Sequence, residues 1–306
     1  MLIQKDAQQI ERVLLDDCRI SLEEFVAVVR FHAQVDFSQE YCRRVTASRE
    51  ALEQRLSSGE GVYGVNTGFG DNVRYRITEE EMSQLQENII RSHGTSVGRP
   101  MSEEGVRSMM MMILTNTGKG HSAIRLEILE TVRQFLNEGI YPYVPEEGTI
   151  GGLSYQPYMA MTFMGEGRII EDGRICPAAE VLAHRGIAPI VLKAREGLPL
   201  LTCASGTVGV AMLAIYDFIM AMRHADLCSA LVCQALRSTD KAYDPRLLEL
   251  KNHRETIEVA AYLRRLLAGS EIMDRARNGK VQDSTNTRVL PHVHGAADRM
   301  LAQAME

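Results

Sequence analysis

Hydrophobic positions recur at the three- and four-residue spacing of an α-helix across 21–34, 39–57, 78–93, 102–117, 122–137, 206–237 and 253–268. Start signals precede several of these runs. Ser21 with Glu24, and Thr78 with Glu81, fit the capping box, in which a hydroxyl and a carboxylate satisfy each other's free backbone N–H groups. Ser102 precedes two acids, and Gly139, Gly167 and Gly269 stand where helices are expected to stop. Period-two alternation is weak; "GRIIEDGRIC" (167–176) predicts one small hairpin around Asp172-Gly173. The methionine run "SMMMMIL" (108–114) reads as core filler, because a flexible thioether fits irregular gaps. No internal repeat or low-complexity stretch is visible. The expected fold class is therefore mainly α, with long helices packed as a bundle.

The stretch 197–216, "GLPLLTCASGTVGVAMLAIY", carries no charge over about the length that spans a bilayer. Pro199, Gly206, Gly209 and the polar Thr202, Ser205 and Thr207 interrupt it, and Asp217 follows at once, so it is expected to be a buried core helix and no membrane is expected. The 306 residues allow one large domain or two ordinary ones, with 45% apolar and 24% charged residues, as in a soluble globular protein. A net charge of −6 argues against nucleic acid as a partner. The six cysteines are scattered without a C-x-x-C pair and read as free thiols of a reducing compartment. The first residues, "MLIQKDAQQIERVLL", do not look like a signal peptide, so a cytoplasmic location is expected.

Three polar islands separate the helical runs: "VYGVNTGFGDN" (62–72), "EEGTIGGLSYQP" (146–157) and "KVQDSTNTRVLPHVHG" (280–295). Irregular polar segments between long helices are where a site is assembled. The first presents Tyr63, Asn66 and Thr67; the third offers Gln282, Asp283 and Arg288, then His292 and His294. His292-x-His294 has no carboxylate or thiol partner at zinc spacing, so no metal is assigned. Gly148, Gly151 and Gly152 could form a nest of backbone N–H groups for an anion, or a simple tight turn.

These islands carry a resemblance. "VYGVNTGFG", "NIIRSHGTSVGRPM" (88–101), "NEGIYPYVPEEGTIG" (137–151), "DKAYDPRLLELKNHRETIEVAAYLRRLLAGSEI" (240–272) and the spaced pattern in 280–295 resemble the aromatic amino acid ammonia-lyases, most closely the histidine ammonia-lyases, in family order over roughly 55–300. The resemblance implies the ammonia-lyase (fumarase/aspartase-like) helical bundle with a small mixed N-terminal region. It also implies a division at 195/196. Residues 1–195 would carry the tyrosine loop and a degenerate catalytic loop, and 196–306 would begin the central long-helix bundle. By the same resemblance Tyr63 is the acid or base beside the substrate's β-carbon, and Arg288 grips its carboxylate. Ser92-His93 occupies the selectivity position of histidine-specific members and points to an imidazole-like ring. Asn66, Gln282 and the backbone at Gly151 and Gly152 would orient polar groups of a small-molecule substrate. As buried amides, Asn66 and Gln282 could equally satisfy backbone.

The chain departs from the family pattern where the chemistry is hardest. Family members cyclise an Ala-Ser-Gly tripeptide into the electrophile methylidene-imidazolone. Here Gly148-Thr149-Ile150-Gly151 runs directly into Gly152-Leu153-Ser154, and the segment is three residues short up to the matching "GEG" at 165–167. The expected cofactor is none. An Ala-Ser-Gly does occur at 204–206, but where the family carries its Asn-Gly-Thr-Gln segment; Thr202-Cys203 replaces the catalytic asparagine, and Thr285 stands where a tyrosine is usual. Without the electrophile, elimination needs an already activated substrate. A quaternary ammonium that departs neutral would qualify, as in a histidine betaine of the ergothioneine type. Two alternatives stay open: another acid–base reaction such as an isomerisation or cyclisation, or a subunit completed by a second polypeptide. Family members run considerably further than Glu306, so the expected assembly is a tetramer-like homo-oligomer or a hetero-oligomer with a C-terminal-half subunit.

Overall fold

A computed structural model of the chain describes residues 5–148, 153 and 155–305. It divides into two compact units, one ending at Leu213 and the other running from Ala214.

The first unit opens with β1 (Arg12–Leu15), α1 (Leu22–Phe31) and β2 (Gln34–Phe37), in which the strands pair in parallel with Val13 opposite Val35. This is the small mixed element that the resemblance implied. The Ser21–Glu24 capping box forms as expected, and α1 stops short of 34 because His32 turns left-handed at φ 57°. Next come α2 (Gln39–Ser57), α3 (Glu79–His93), β3 (Val97–Pro100), α4 (Glu103–Thr117), α5 (Leu126–Glu138), β4 (Tyr141–Pro142) and β5 (Pro145–Glu147). The Thr78–Glu81 box opens α3, and Gly139, at φ 67°, closes α5 where a side chain would be strained. The methionines of α4 are core: Met109, Met110 and Met111 are fully buried.

The same helix carries a buried cation. Arg107 donates from Nε to Val29 O at 3.0 Å, from Nη2 to Val28 O at 2.5 Å and from Nη1 to Leu136 O at 3.0 Å. These carbonyls lie in the last turns of α1 and α5, where the helix dipole is negative and free carbonyls need donors. One guanidinium therefore joins three helices.

The unit continues with α6 (Gln156–Phe163), the antiparallel hairpin β6 (Arg168–Glu171) and β7 (Arg174–Pro177), α7 (Ala178–His184), α8 (Gly197–Leu201) and the start of α9 (Ser205–Ala235). The hairpin turns on Asp172 and Gly173, both at positive φ, as the sequence predicts. Gly167 does not end a helix: α6 stops at Phe163, Gly165 takes the left-handed turn at φ 78°, and Gly167 packs against Thr162 at the foot of β6.

The uncharged stretch 197–216 is not one buried helix, which corrects the expectation. The backbone breaks at Thr202–Ala204, between α8 and α9. Gly206 and Gly209 bring α9 against α4, where an added Cβ on Gly209 would lie 2.7 Å from Ser108 Oγ, yet Val208 and Val210 on the same turns are exposed. By length and composition Gly197–Ala235 would suffice to cross a membrane.

The second unit holds the rest of α9, then α10 (Pro245–Glu249), α11 (Arg254–Leu266), α12 (Glu271–Gly279), α13 (Thr285–Arg288) and α14 (Leu290–Met305). Its core gathers Ala230, Cys233, Tyr243, Val259, Leu263 and Met273. Gly295 lets α14 press on α11, with room for no Cβ against the Thr256 backbone. His294 pairs with Asp226 at 2.6 Å. Leu231 and Met300 are exposed by about two thirds, at 67% and 65%.

Candidate functional site

The tyrosine island folds as a tight turn braced by its own polar side chains. Asn66 is buried; its Oδ1 accepts from Val62 N at 2.7 Å and its Nδ2 donates to Glu60 O at 2.8 Å. Both ends of that amide thus hold the backbone around Tyr63. Gly64 sits at φ 65° with Phe69 packed over it, and an added Cβ would lie 2.5 Å from the ring. Phe69 meets Tyr63 edge to face at 6.1 Å between centroids. The Tyr63 side chain is 47% exposed, and its hydroxyl accepts the Gly70 N–H at 3.0 Å. That donor remains available when the phenol gives up its proton.

Ser92 and His93 close α3. The His93 Nδ1 lies 2.8 Å from Ile89 O and 3.0 Å from Ser92 Oγ. Because a carbonyl can only accept, Nδ1 carries the hydrogen in this geometry, and Nε2 is left as an acceptor with no partner among the described residues. From His93 the chain enters β3, which pairs antiparallel with β5 and so places the Ser-His segment beside the approach to the glycine loop. Tyr158 Oη donates to Ser96 O at 2.7 Å, Tyr155 Oη donates to Glu146 O at 2.8 Å, and Arg99 reaches Glu146 at 2.8 Å. Gly148 packs on Ser96 at φ 114°. Gly151 and Gly152 lie outside the described residues.

At the far end of that loop, Gln156 is buried and donates from Nε2 to Cys203 O at 2.8 Å. A Cβ added to Gly206 would stand 3.2 Å from both Tyr155 and Met109, so α6, α4 and the start of α9 converge there. This is where the Ala204-Ser205-Gly206 tripeptide can be tested against the family's prosthetic group. Cyclisation requires the glycine nitrogen to attack the alanine carbonyl carbon two residues back, from a strained loop. Here Ser205 and Gly206 open a 31-residue helix, and Ala204 O already accepts the Val208 N–H at 2.9 Å. The tripeptide does not fit the group. Ser205 Oγ is buried without a hydrogen-bond partner among the described residues, and Thr202, at the break, donates its hydroxyl to Leu198 O at 3.0 Å.

The third island belongs to the second unit and is firmly anchored. Asp283 accepts from Thr239 N and pairs with Lys280 at 3.1 Å. Tyr243 Oη donates to Thr287 O at 2.6 Å beneath α13, and burial pushes that phenol's pKa well up. Two residues picked from sequence meet here. With the Gln282 amide oxygen turned toward the guanidinium, it accepts from Arg288 Nη1 at 2.7 Å and Nη2 at 3.0 Å. Arg288 Nη2 also donates to Thr285 Oγ1 at 3.3 Å, and no carboxylate pairs with the guanidinium among the described residues. Tyr63, Asn66, Ser92 and His93 belong to the first unit; Gln282 and Arg288 belong to the second.

The match to the family model for aromatic amino acid lyases covers residues 20–306. The chain belongs to the aromatic amino acid lyase family. It is 36% identical to the histidine ammonia-lyase of Deinococcus radiodurans over 94% of this chain and 56% of that protein. The tyrosine aminomutase of Streptomyces globisporus superposes with a TM-score of 0.88 at 32% identity, over 95% of this chain and 59% of that one. Ergothionase from Treponema denticola, solved with desmethyl-ergothioneine sulfonic acid, shares the fold at a TM-score of 0.88 and 24% identity, with the same coverage. This lyase-family chain thus spans a little over half the length of the relatives it matches.

Three residues of the lyase-family scaffold escaped the sequence reading. Gln86 is fully buried in α3; it donates from Nε2 to Gly64 O and accepts from Gly197 N, both at 3.0 Å. Arg195 donates to Tyr63 O at 3.3 Å. Glu196, also fully buried, takes Arg125 Nε at 2.6 Å, Arg125 Nη2 at 2.9 Å and Lys193 N at 2.6 Å. Gln86 and Glu196 differ from ordinary polar residues by their burial, and Arg195 by its left-handed backbone at φ 77°; neither is visible in one sequence.

Proposed function

We propose that the chain catalyses, alone or within a larger assembly, a carbon–nitrogen elimination that does not use methylidene-imidazolone, on a small substrate bearing an imidazole-like ring, a carboxylate and a leaving group that departs neutral. Tyr63, as phenolate, takes the β-proton. The C–H electron pair forms the Cα–Cβ double bond, the Cα–N bond breaks, and its pair leaves on the amine nitrogen. For a trimethylammonium group the products are a conjugated acid and trimethylamine. Arg288, steadied by Gln282, holds the carboxylate, and His93 Nε2 accepts from an N–H of the ring. Asn66 contributes through the backbone that carries Tyr63, and Ser92 steadies His93. The observation that carries this proposal is an intact, braced Tyr63 turn in a chain whose glycine loop holds no Ala-Ser-Gly.

The test is direct. The purified chain is given a trimethylated histidine betaine and, separately, histidine, and the conjugated product is followed by its ultraviolet absorbance. Turnover of the betaine alone, lost in Tyr63→Phe, supports the proposal. Turnover of histidine at a comparable rate, or full activity of Tyr63→Phe, rejects it. A second reading is favoured by the exposure of Leu227, Leu231 and Val232 on α9 and of Val293 and Met300 on α14. Monomeric proteins seldom leave so many large apolar side chains in water, so a further copy or a second polypeptide would cover them.

A further inference from the structure

We infer that Gln86 and Arg195 are positioning residues that fix Tyr63 by clamping two consecutive carbonyls of its turn from two different elements; this rests on the proposed role of Tyr63. Among the described residues the tyrosine side chain has little to hold it directly: one ring edge from Phe69 and one backbone N–H from Gly70. Where its hydroxyl lies therefore depends on where the backbone of 63 and 64 lies. Those two residues present their carbonyls to different donors. Tyr63 O receives Arg195 Nη1 at 3.3 Å, and Gly64 O receives Gln86 Nε2 at 3.0 Å.

The clamp is closed on its other side. Gln86 Oε1 accepts the N–H of Gly197, so one fully buried amide joins the tyrosine turn to the start of α8. Gly197 is pressed so closely that an added Cβ would stand 2.6 Å from Gln86 O. Arg195 is two residues away, in the left-handed region at φ 77°, where an arginine is strained unless its neighbours hold it. Glu196 supplies that hold through Arg125 and the Lys193 N–H. The Arg195 guanidinium is half-buried and pairs with no carboxylate among the described residues; desolvation lowers its pKa from the usual value. A buried amide with both ends used, and a desolvated cation reaching a single carbonyl, both converge on the turn that carries Tyr63.

The experiment uses Gln86→Leu, Arg195→Gln and Arg195→Lys in the full chain. Two readouts are taken: hydrogen exchange resolved by peptide, and kcat and KM with the trimethylated histidine betaine. The clamp predicts that Gln86→Leu and Arg195→Gln speed exchange at 61–70 at least tenfold while 103–138 keeps its protection. It also predicts that kcat falls at least tenfold with KM within twofold, and that Arg195→Lys recovers most of both. Unchanged exchange at 61–70, a parallel loss of protection across 103–138, or an unchanged kcat would overturn it. The two ideas separate cleanly. Full turnover by Tyr63→Phe, or no turnover of the betaine by the parent chain, rejects the role given to Tyr63. The clamp itself is then judged by whether loosening is confined to 61–70.

Discussion

Replacing Glu196 by glutamine tests the anchor on which that clamp stands. The carboxylate is fully buried and makes a fork with Arg125, at 2.6 and 2.9 Å, a 2.6 Å bond from the Lys193 N–H, and lies 3.6 Å from Arg49 Nη1. Its hydrogen bond to Arg125 is the main cause that raises the Arg125 pKa. Glu196→Gln keeps the shape but removes the charge, and turns one oxygen into an NH2 that faces an N–H donor. Breaking a buried, hydrogen-bonded ion pair from one side costs about 3–5 kcal/mol, and because Arg125 keeps Glu127 at 2.7 Å the lower end of that range, about 3 kcal/mol, is expected here. For a unit of this size each kcal/mol moves the melting midpoint by roughly 2–4 °C, so the transition of the first unit should fall by about 10 °C in scanning calorimetry. The double variant Arg125→Met/Glu196→Leu removes both charges together and should lose clearly less than the sum of its two single variants. A Glu196→Gln midpoint within about 2 °C of the parent, or additive losses in the double variant, would show that the network does not hold this segment.

Arg107→Met should destabilise the first unit by roughly 3–5 kcal/mol, since three carbonyls in the last turns of α1 and α5 lose a charged donor; Arg107→Lys should fall between, read by thermal melting. Tyr243→Phe leaves Thr287 O without its 2.6 Å donor and should cost about 1–2 kcal/mol, with faster exchange at 285–290 as the direct check. Asp298 has its pKa raised, first by burial and then by Asp226. A carboxyl raised in the folded state stabilises below its unfolded pKa and loses that contribution as pH rises through the folded value. Asp298→Asn should therefore raise the melting midpoint at neutral pH and leave it unchanged in strong acid; equal effects at both would refute the assignment.

The helices were legible because their signals are local. Ser21–Glu24 and Thr78–Glu81 act over three residues, and each forms the reciprocal bonds expected of it. The methionine run is buried because α4 lies inside, and a run apolar on every side suits only such a helix. Gly167 misled because two glycines lie within three residues and either could take the left-handed turn; the chain takes it at Gly165, at φ 78°, while Gly167 packs against Thr162. The stretch 197–216 misled in a different way. Its lack of charge fixes what it avoids, water, and not whether a neighbour is present to cover it, so exposed Val208 and buried Gly209 look alike in sequence. Gln86 was silent for the related reason that an amide in mid-helix is ordinary unless it is known to face two backbones.

The site segments of the first unit are joined mostly by side chains that bond to backbone rather than to one another. Gln86 links Gly64 and Gly197, Gln156 reaches Cys203 O, Tyr155 reaches Glu146 O and Tyr158 reaches Ser96 O. A carbonyl is the same acceptor whatever side chain its residue carries. Such a framework tolerates changes in the residues that face a ligand, because none of its bonds depends on them. The tyrosine turn, the Ser-His segment and the start of α9 are held in this way in a chain whose glycine loop, 148–154, holds no Ala-Ser-Gly. Under the function proposed above, the scaffold would act through a placed phenol, an imidazole acceptor and hydrogen-bond donors, groups of the kind that general acid–base catalysis uses.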